Sequence, residues 1–215
     1  MISRSIVVAA LVLVSADLPA QAQPAPVQQP AQQPAQRPIP RAAPSTRATV
    51  EVLIDRRWLN NQWLNTSSVA GPARIAINYG QPHLRGRSVL GSLVPWDSAW
   101  RTGANLATQL TAELDITIGN TFIPRGIYTL FTLPTRNGWK LIVSKQALQW
   151  GTEYDPAQDL ARIDLRSRTR TEPVESLTFW LIPAIESPPS QTFPHGALKF
   201  AWGNIELSTD WKVGR

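Results

Sequence analysis

The 215-residue chain has no cysteine, one methionine and only two histidines, His83 and His195. The missing cysteines exclude a disulfide scaffold, a Cys-ligated zinc or iron–sulfur site and a thiol nucleophile. Two histidines cannot form a three-histidine metal site within one chain. No apolar run is long enough to cross a bilayer core of about 30 Å, because the longest, Ile6–Val14, is bounded by Ser5 and Ser15. What is abundant is proline (nineteen residues) and tryptophan (nine), on a chain that is 43% hydrophobic and has a net charge of +6. That apolar fraction suffices for a packed core.

The amino terminus has the grammar of an export signal. Arg4 supplies a positive start, Ile6–Val14 the apolar stretch, and Ala20-Gln21-Ala22 a small-x-small cleavage site. Residues 1–22 are thus expected to be removed, leaving an exported protein, periplasmic or extracellular, without a transmembrane segment. Residues 23–48 hold seven prolines, many glutamines and alanines and no aromatic residue. Such a composition cannot offset its ordering entropy by burial, so a disordered Pro/Gln-rich linker is expected before a domain at 49–215. From Val50 onward there are seventeen basic and fourteen acidic residues. The basic residues are scattered apart from Arg162, Arg166, Arg168 and Arg170, whose spacing suits a solvated strand face. No nucleic-acid partner is expected.

The dominant period from Val50 on is two. Val50, Val52 and Ile54 alternate with Glu51 and Leu53, Ile75, Ile77 and Tyr79 with Ala76 and Asn78, and the run Leu110, Ala112, Leu114, Ile116, Ile118 reads as one strand. Gly126–Leu133 and Trp139–Val143 flank Asn137-Gly138, a hairpin signal through positive φ at both residues. Leu177–Leu181, Leu198–Trp202 and Ile205–Val213 alternate again. The one helical signal is short, near Asp155–Leu160, where Asp155 caps and Pro156 opens a turn. The expectation is an all-β fold, an antiparallel β-sandwich with a barrel as the alternative.

Tyr79-Gly-Gln-Pro82-His-Leu-Arg85-Gly86-Arg87, then Gly91-Ser-Leu-Val-Pro95, then Trp100-Arg-Thr-Gly-Ala-Asn105 resembles the bacterial domain of unknown function 2911 family. The likeness continues through Pro124–Phe131, Trp139 and Trp150-Gly151-Thr-Glu-Tyr154 to Asp159 and Arg162, and covers roughly residues 74–183. It implies an exported β-rich bacterial domain and brings no activity. Gly80 and Gln81 depart from the Arg or Ser usual there, so no arginine role transfers to them.

Candidate site residues follow from residue chemistry. Arg101 can grip a carboxylate or phosphate, and Asn105 adds a neutral donor and acceptor. The structural reading of the same block has Trp100 plugging the core, Arg101 paired with an acid such as Asp159, and Asn105 closing a turn. His83, between Arg85 and Arg87, is disfavoured as a cation and suits a base or an ordinary surface role. Trp58-Leu-Asn and Trp63-Leu-Asn repeat at a spacing of five and suit a sugar-stacking surface or loop aromatics folded over the domain. Glu153, Asp155, Asp159 and Asp164 could contribute calcium ligands, although the spacing matches no EF-hand. The ligand-binding candidates are therefore Tyr79, His83, Arg85, Arg87, Arg101, Asn105, Asp159, Arg162, Trp58 and Trp63. No catalytic or metal-ligating residue is assigned, and calcium at Glu153, Asp155 and Asp159 is the one cofactor option. The favoured function is a non-enzymatic binding or envelope-associated module for a small molecule, glycan or envelope component. The alternative is a hydrolase of envelope glycans or peptides using His83, Arg101 and Asp159.

Overall fold

Period-two patterning becomes antiparallel pairing in the computed structural model of the chain. It describes residues 44–54, 58–59, 62–63, 72–184 and 193–215, with no side chains for 58–59 and 62–63. The stretch expected to be an export signal and most of that expected to be linker lie outside these residues. The strands are β1 (Thr46–Ile54), β2 (Trp58–Leu59), β3 (Gln62–Trp63), β4 (Ala73–Gln81), β5 (Thr108–Ala112), β6 (Ile116–Ile118), β7 (Thr121–Ile123), β8 (Gly126–Thr135), β9 (Gly138–Ser144), β10 (Asp159–Pro183) and β11 (His195–Val213). Nine of them form one open antiparallel sheet in the order β1-β4-β5-β8-β9-β10-β11-β6-β7. β2 and β3 pair only with each other. β1 starts at Thr46, opposite Gln81, so pairing reaches three residues into the stretch expected to be linker.

The sheet folds over itself because β10 and β11 are long and bent. The start of β10 pairs with β9, from Asp159 to Leu165. Its remainder pairs with β11, with register shifts between Thr169, Val174 and Thr178 where bulges turn the strand. β11 turns at Gly203, whose φ of 61° is a left-handed conformation open to glycine. So complete is this curl that the Val213 amide donates to Pro194 O at 2.8 Å, joining the two ends of β11. The tail of β4 is stitched to mid-β10 by Leu177 N–Pro82 O (3.0 Å) and Leu84 N–Glu175 O (2.8 Å) around a His83–Ser176 bridge.

Between the two layers lies one apolar core, from Ile75, Leu110, Leu130 and Leu141 on one side to Leu177, Phe200, Leu207 and Trp211 on the other. Tyr79 and Phe179 meet across it at 4.7 Å, and Phe179 N donates to Tyr79 Oη at 3.3 Å. The all-β antiparallel expectation holds; the two layers belong to one folded sheet rather than to two separate ones. Trp139, Trp202 and Trp211 are buried, as their strand positions implied.

Three local expectations are corrected. Residues 110–118 do not make one strand: the chain breaks at residues 113–115 and passes from β5 in one layer to β6 in the other. The turn is held by Asp115, whose carboxylate accepts from Arg125 N at 2.8 Å and whose carbonyl accepts from Gly214 N. At the β8–β9 hairpin only Gly138 has positive φ. Asn137 escapes it because the Thr135 hydroxyl donates to Gly138 O (2.8 Å) and closes a different turn. The helical signal yields a three-residue 3-10 turn, Pro156–Gln158, capped by Asp155 through Ala157 N. The spaced arginines of β10 do lie on an exposed face, where acids of β11 neutralise them. Arg166 grips Asp210 through both oxygens (2.8 and 2.7 Å), and Arg168 and Arg170 converge on Glu206. No helix among the described residues is long and apolar enough to cross a membrane.

Candidate functional site

The line of β5 is interrupted. Thr108 opens β5 opposite Leu130, yet the next place on β8, Thr132, is bridged by Trp100 through two 2.8 Å backbone bonds. Residues 102–107 leave the sheet between these points, and Thr108 N donates to Arg101 O (3.3 Å) to close the gap. The excursion needs left-handed backbone at Thr102 (φ 49°) and Asn105 (φ 63°). For a β-branched residue such as Thr102 that conformation costs of order 1–3 kcal/mol. Thr102 is fully buried and fixed there: its hydroxyl donates to Trp100 O and meets the Thr132 hydroxyl, and its carbonyl accepts from the Thr108 hydroxyl.

Outside the sheet the excursion meets the β9–β10 connection in a short two-rung ladder. Ala107 N donates to Gln149 O and Gly151 N to Asn105 O, both at 3.2 Å, around a Leu106–Trp150 bridge. Beneath it Phe131 and Ile142, paired across β8 and β9, form a second small core with Ala107, joined by Tyr154. Tyr154 packs on Phe131 with ring centres 4.8 Å apart.

Alternation then separates Trp100 from Arg101. Half-buried Trp100 stacks on buried Trp202 at 5.7 Å, packing against the edge of the core. Arg101 takes the outer face, its stem lying against Gly151. A Cβ at Gly151 would sit 2.0 Å from Arg101 Cδ and 2.5 Å from Asn105 O, so only glycine leaves room. Nε of Arg101 is buried without a partner, and burial pushes the guanidinium pKa down. The pairing of Arg101 with Asp159 is not made. Asp159 Oδ2 instead accepts from Arg162 Nε and from the Tyr154 hydroxyl, both at 2.8 Å, while Arg162 Nη2 donates to Tyr154 Oη at 3.1 Å. Arg162 is only three residues along β10 from Asp159, closer to hand than any loop arginine. Burial, with Asp159 second, raises the Tyr154 pKa; Asp159 likewise raises that of Arg162. Oδ1 of Asp159 is buried and unpartnered, like Nε of Arg101.

The other candidates lie apart from this face. Tyr79 is a core residue whose hydroxyl is engaged by Phe179 N, and burial raises its pKa; it is not displayed to a ligand. His83 Nδ1 is 2.7 Å from Ser176 Oγ. Arg85 donates to Pro44 O, just ahead of β1, while Arg87 donates to Leu84 O and His83 O of its own loop. No hydrogen bond links any two of His83, Arg101 and Asp159. Trp58 and Trp63, odd partners by periodicity, are directly opposed in the β2–β3 hairpin. Among the four acids, Asp155 caps the 3-10 turn, Asp159 is held by Tyr154 and Arg162, and Asp164 pairs with Lys140. Among the described residues no group of three His, Asp or Glu could hold a metal ion.

The sequence reading missed Gly151 and Tyr154 as parts of the Arg101 face. The signal available was the Trp150–Tyr154 block, which is part of the family resemblance. A family model described as a protein of unknown function, DUF2911, matches residues 62–210. The chain belongs to that family. The match is wider than residues 74–183 and adds Trp63 on one side and β11 as far as residue 210 on the other. No curated protein and no solved structure matches the chain. Within this DUF2911 member, the excursion at 102–107, its ladder to Trp150-Gly151 and the Tyr154–Asp159–Arg162 group all lie inside the matched region.

Proposed function

We propose that this DUF2911 member is an exported, non-enzymatic recognition module that takes an anion, a carboxylate or phosphate, at Arg101 on the outer face of the sheet. The observation that carries the reading is the state of the Arg101 guanidinium: backed by Gly151, reached through a strained loop, and left without any hydrogen bond or ion pair. A planar guanidinium that the protein does not use is suited to a bidentate grip on an outside acid. Asn105, exposed beside it, adds a donor and acceptor of its own. The export reading rests on Arg4, the Ile6–Val14 stretch and Ala20-Gln21-Ala22. An envelope component or acidic glycan is the kind of ligand an exported module would meet.

The test is calorimetric titration of the protein with phosphate, acetate and glucuronate, beside Arg101→Met. At least one of these anions is expected to bind and to lose tenfold or more in affinity on substitution. Equal binding by Arg101→Met, or no binding by the native protein, overturns the reading.

A further inference from the structure

Of the two edge strands of the sheet, β7 has three residues and β1 has nine. β1 pairs with β4 along its whole length without a bulge, and among the described residues no strand pairs with its other side. β10 comes near β1 but forms no ladder with it. Which backbone groups of β1 point outward follows from β4. Ala104 N donates to Gly80 O and Glu113 N to Arg74 O, so the even-numbered residues of β4 bond toward β5. Its odd-numbered residues therefore bond toward β1, where they stand opposite Thr46, Ala48, Val50, Val52 and Ile54. The N–H and C=O groups of Arg47, Thr49, Glu51 and Leu53 are left pointing away from the sheet. Proteins blunt such an edge with proline, lysine or a bulge, and β1 has none of these.

The side chains of the same four residues are exposed, in the order Arg, Thr, Glu, Leu. Arg47 Nη2 donates to Asn78 Oδ1, whereas Glu51 has no partner among the described residues. A second copy of β1, laid antiparallel about a two-fold axis at Thr49, answers this order. Thr49 then meets Thr49, and Arg47 of each copy stands directly opposite Glu51 of the other. All are residues whose backbone groups point outward, so the ladder and the charges agree on one register. An axis at Glu51 would oppose the two acids, an axis at Arg47 the two arginines, and an axis at Val50 would set Arg47 against Leu53. On the inner side Ala48 meets Val50, and these half-buried residues at the margin of the core gain cover. We propose that the protein dimerises through β1 in this register, with one antiparallel sheet continuous across both chains. This surface does not depend on the Arg101 reading.

The experiment is sedimentation velocity of the full chain, with protein concentration raised stepwise to the millimolar range. It is run beside Arg47→Glu, Glu51→Arg, the two combined, and Thr49→Pro, with melting temperatures to verify the fold. Either charge reversal alone sets like charges opposite each other across the axis, and the combination restores opposite ones. The native chain is expected to dimerise, each single reversal to weaken the dimer tenfold or more, and the combined variant to recover it. Thr49→Pro removes an N–H that the monomer does not use and should abolish the dimer. Should that variant fail to fold, the reversals at exposed positions still decide. The proposal is overturned if the native chain stays monomeric throughout, if a single reversal or a folded Thr49→Pro dimerises as the native chain does, or if the combined variant fails to recover.

Discussion

Replacing Arg101 by methionine should raise the melting temperature. The thioether side chain keeps the apolar stem that lies against Gly151 and removes the buried Nε–H, which has no acceptor. A buried unpaired polar group costs about 1–3 kcal/mol. Only Nε is both sealed and unpartnered, so the lower end, about 1 kcal/mol, applies to this site. For a domain of this size that is an increase of about 2–4 °C. The sign follows from burial as well: desolvation already pushes the Arg101 pKa down, so the charged form is held at a cost that no internal partner offsets. The assay is thermal unfolding by circular dichroism at pH 7, native protein beside Arg101→Met and Arg101→Ala. Alanine also removes the stem and should melt below methionine. If Arg101→Met melts 3 °C or more below the native protein, the guanidinium is a stabilising structural group. The reasoning that keeps it for an outside anion then fails.

Gly151→Ala should act on the same face from the other side: its Cβ would stand 2.0 Å from Arg101 Cδ and 2.5 Å from Asn105 O. Anion affinity measured by titration should fall at least as far as in Arg101→Met, with a lower melting temperature as well. Phe131→Ala should destabilise by about 3–5 kcal/mol in urea unfolding, because Phe131 is fully buried between Ile142 and Tyr154. A loss under 1 kcal/mol would mean that the outer core is not load-sharing. Glu206 gives a pH signature. Burial alone would raise its pKa, but the hydrogen bonds and charges of Arg168 and Arg170 outweigh it and hold the value down. A depressed folded pKa gives stability that is full above the unfolded value, about 4.3, and lost as pH falls through the folded one. Melting temperatures of the native protein and Glu206→Gln should therefore differ most above pH 5 and converge below that window; a constant gap from pH 6 to pH 2 would contradict it.

Alternation made most strands legible, because one buried face imposes period two on β4, β5 and β11 alike. It misled at residues 110–118, where the apolar residues of β5 and β6 keep step although the chain changes layer between them. Both strands face the same core from opposite sides, so the pattern carries no trace of the crossing. Arg101 stood out by residue type, but its isolation did not. Whether it has a partner depends on Asp159, and that acid was claimed by Arg162 and Tyr154 through a contact set by the start of β10. Likewise the His83–Ser176 contact spans ninety-three residues and arises from the stitching of β4 to mid-β10. Tyr79 looked like the head of a motif; its place on β4 turned it to the core.

The curl of β11 also governs the order in which the protein can form. β6 pairs on one side only with the adjacent β7 and on the other only with residues 211–213. β10 from Arg166 onward has β11 as its ladder partner, and the ends of β11 meet only when Val213 reaches Pro194. Half of the folded sheet thus waits for its last strand, and pairing over such separations is slow because loop closure precedes any gain. Until then β10 presents a long open edge with Leu177, Phe179 and Leu181 uncovered, a template for pairing with other chains. A chain caught at that stage is sticky rather than merely unfinished. Its yield in any host will depend on how quickly residues 195–213 are delivered to the rest.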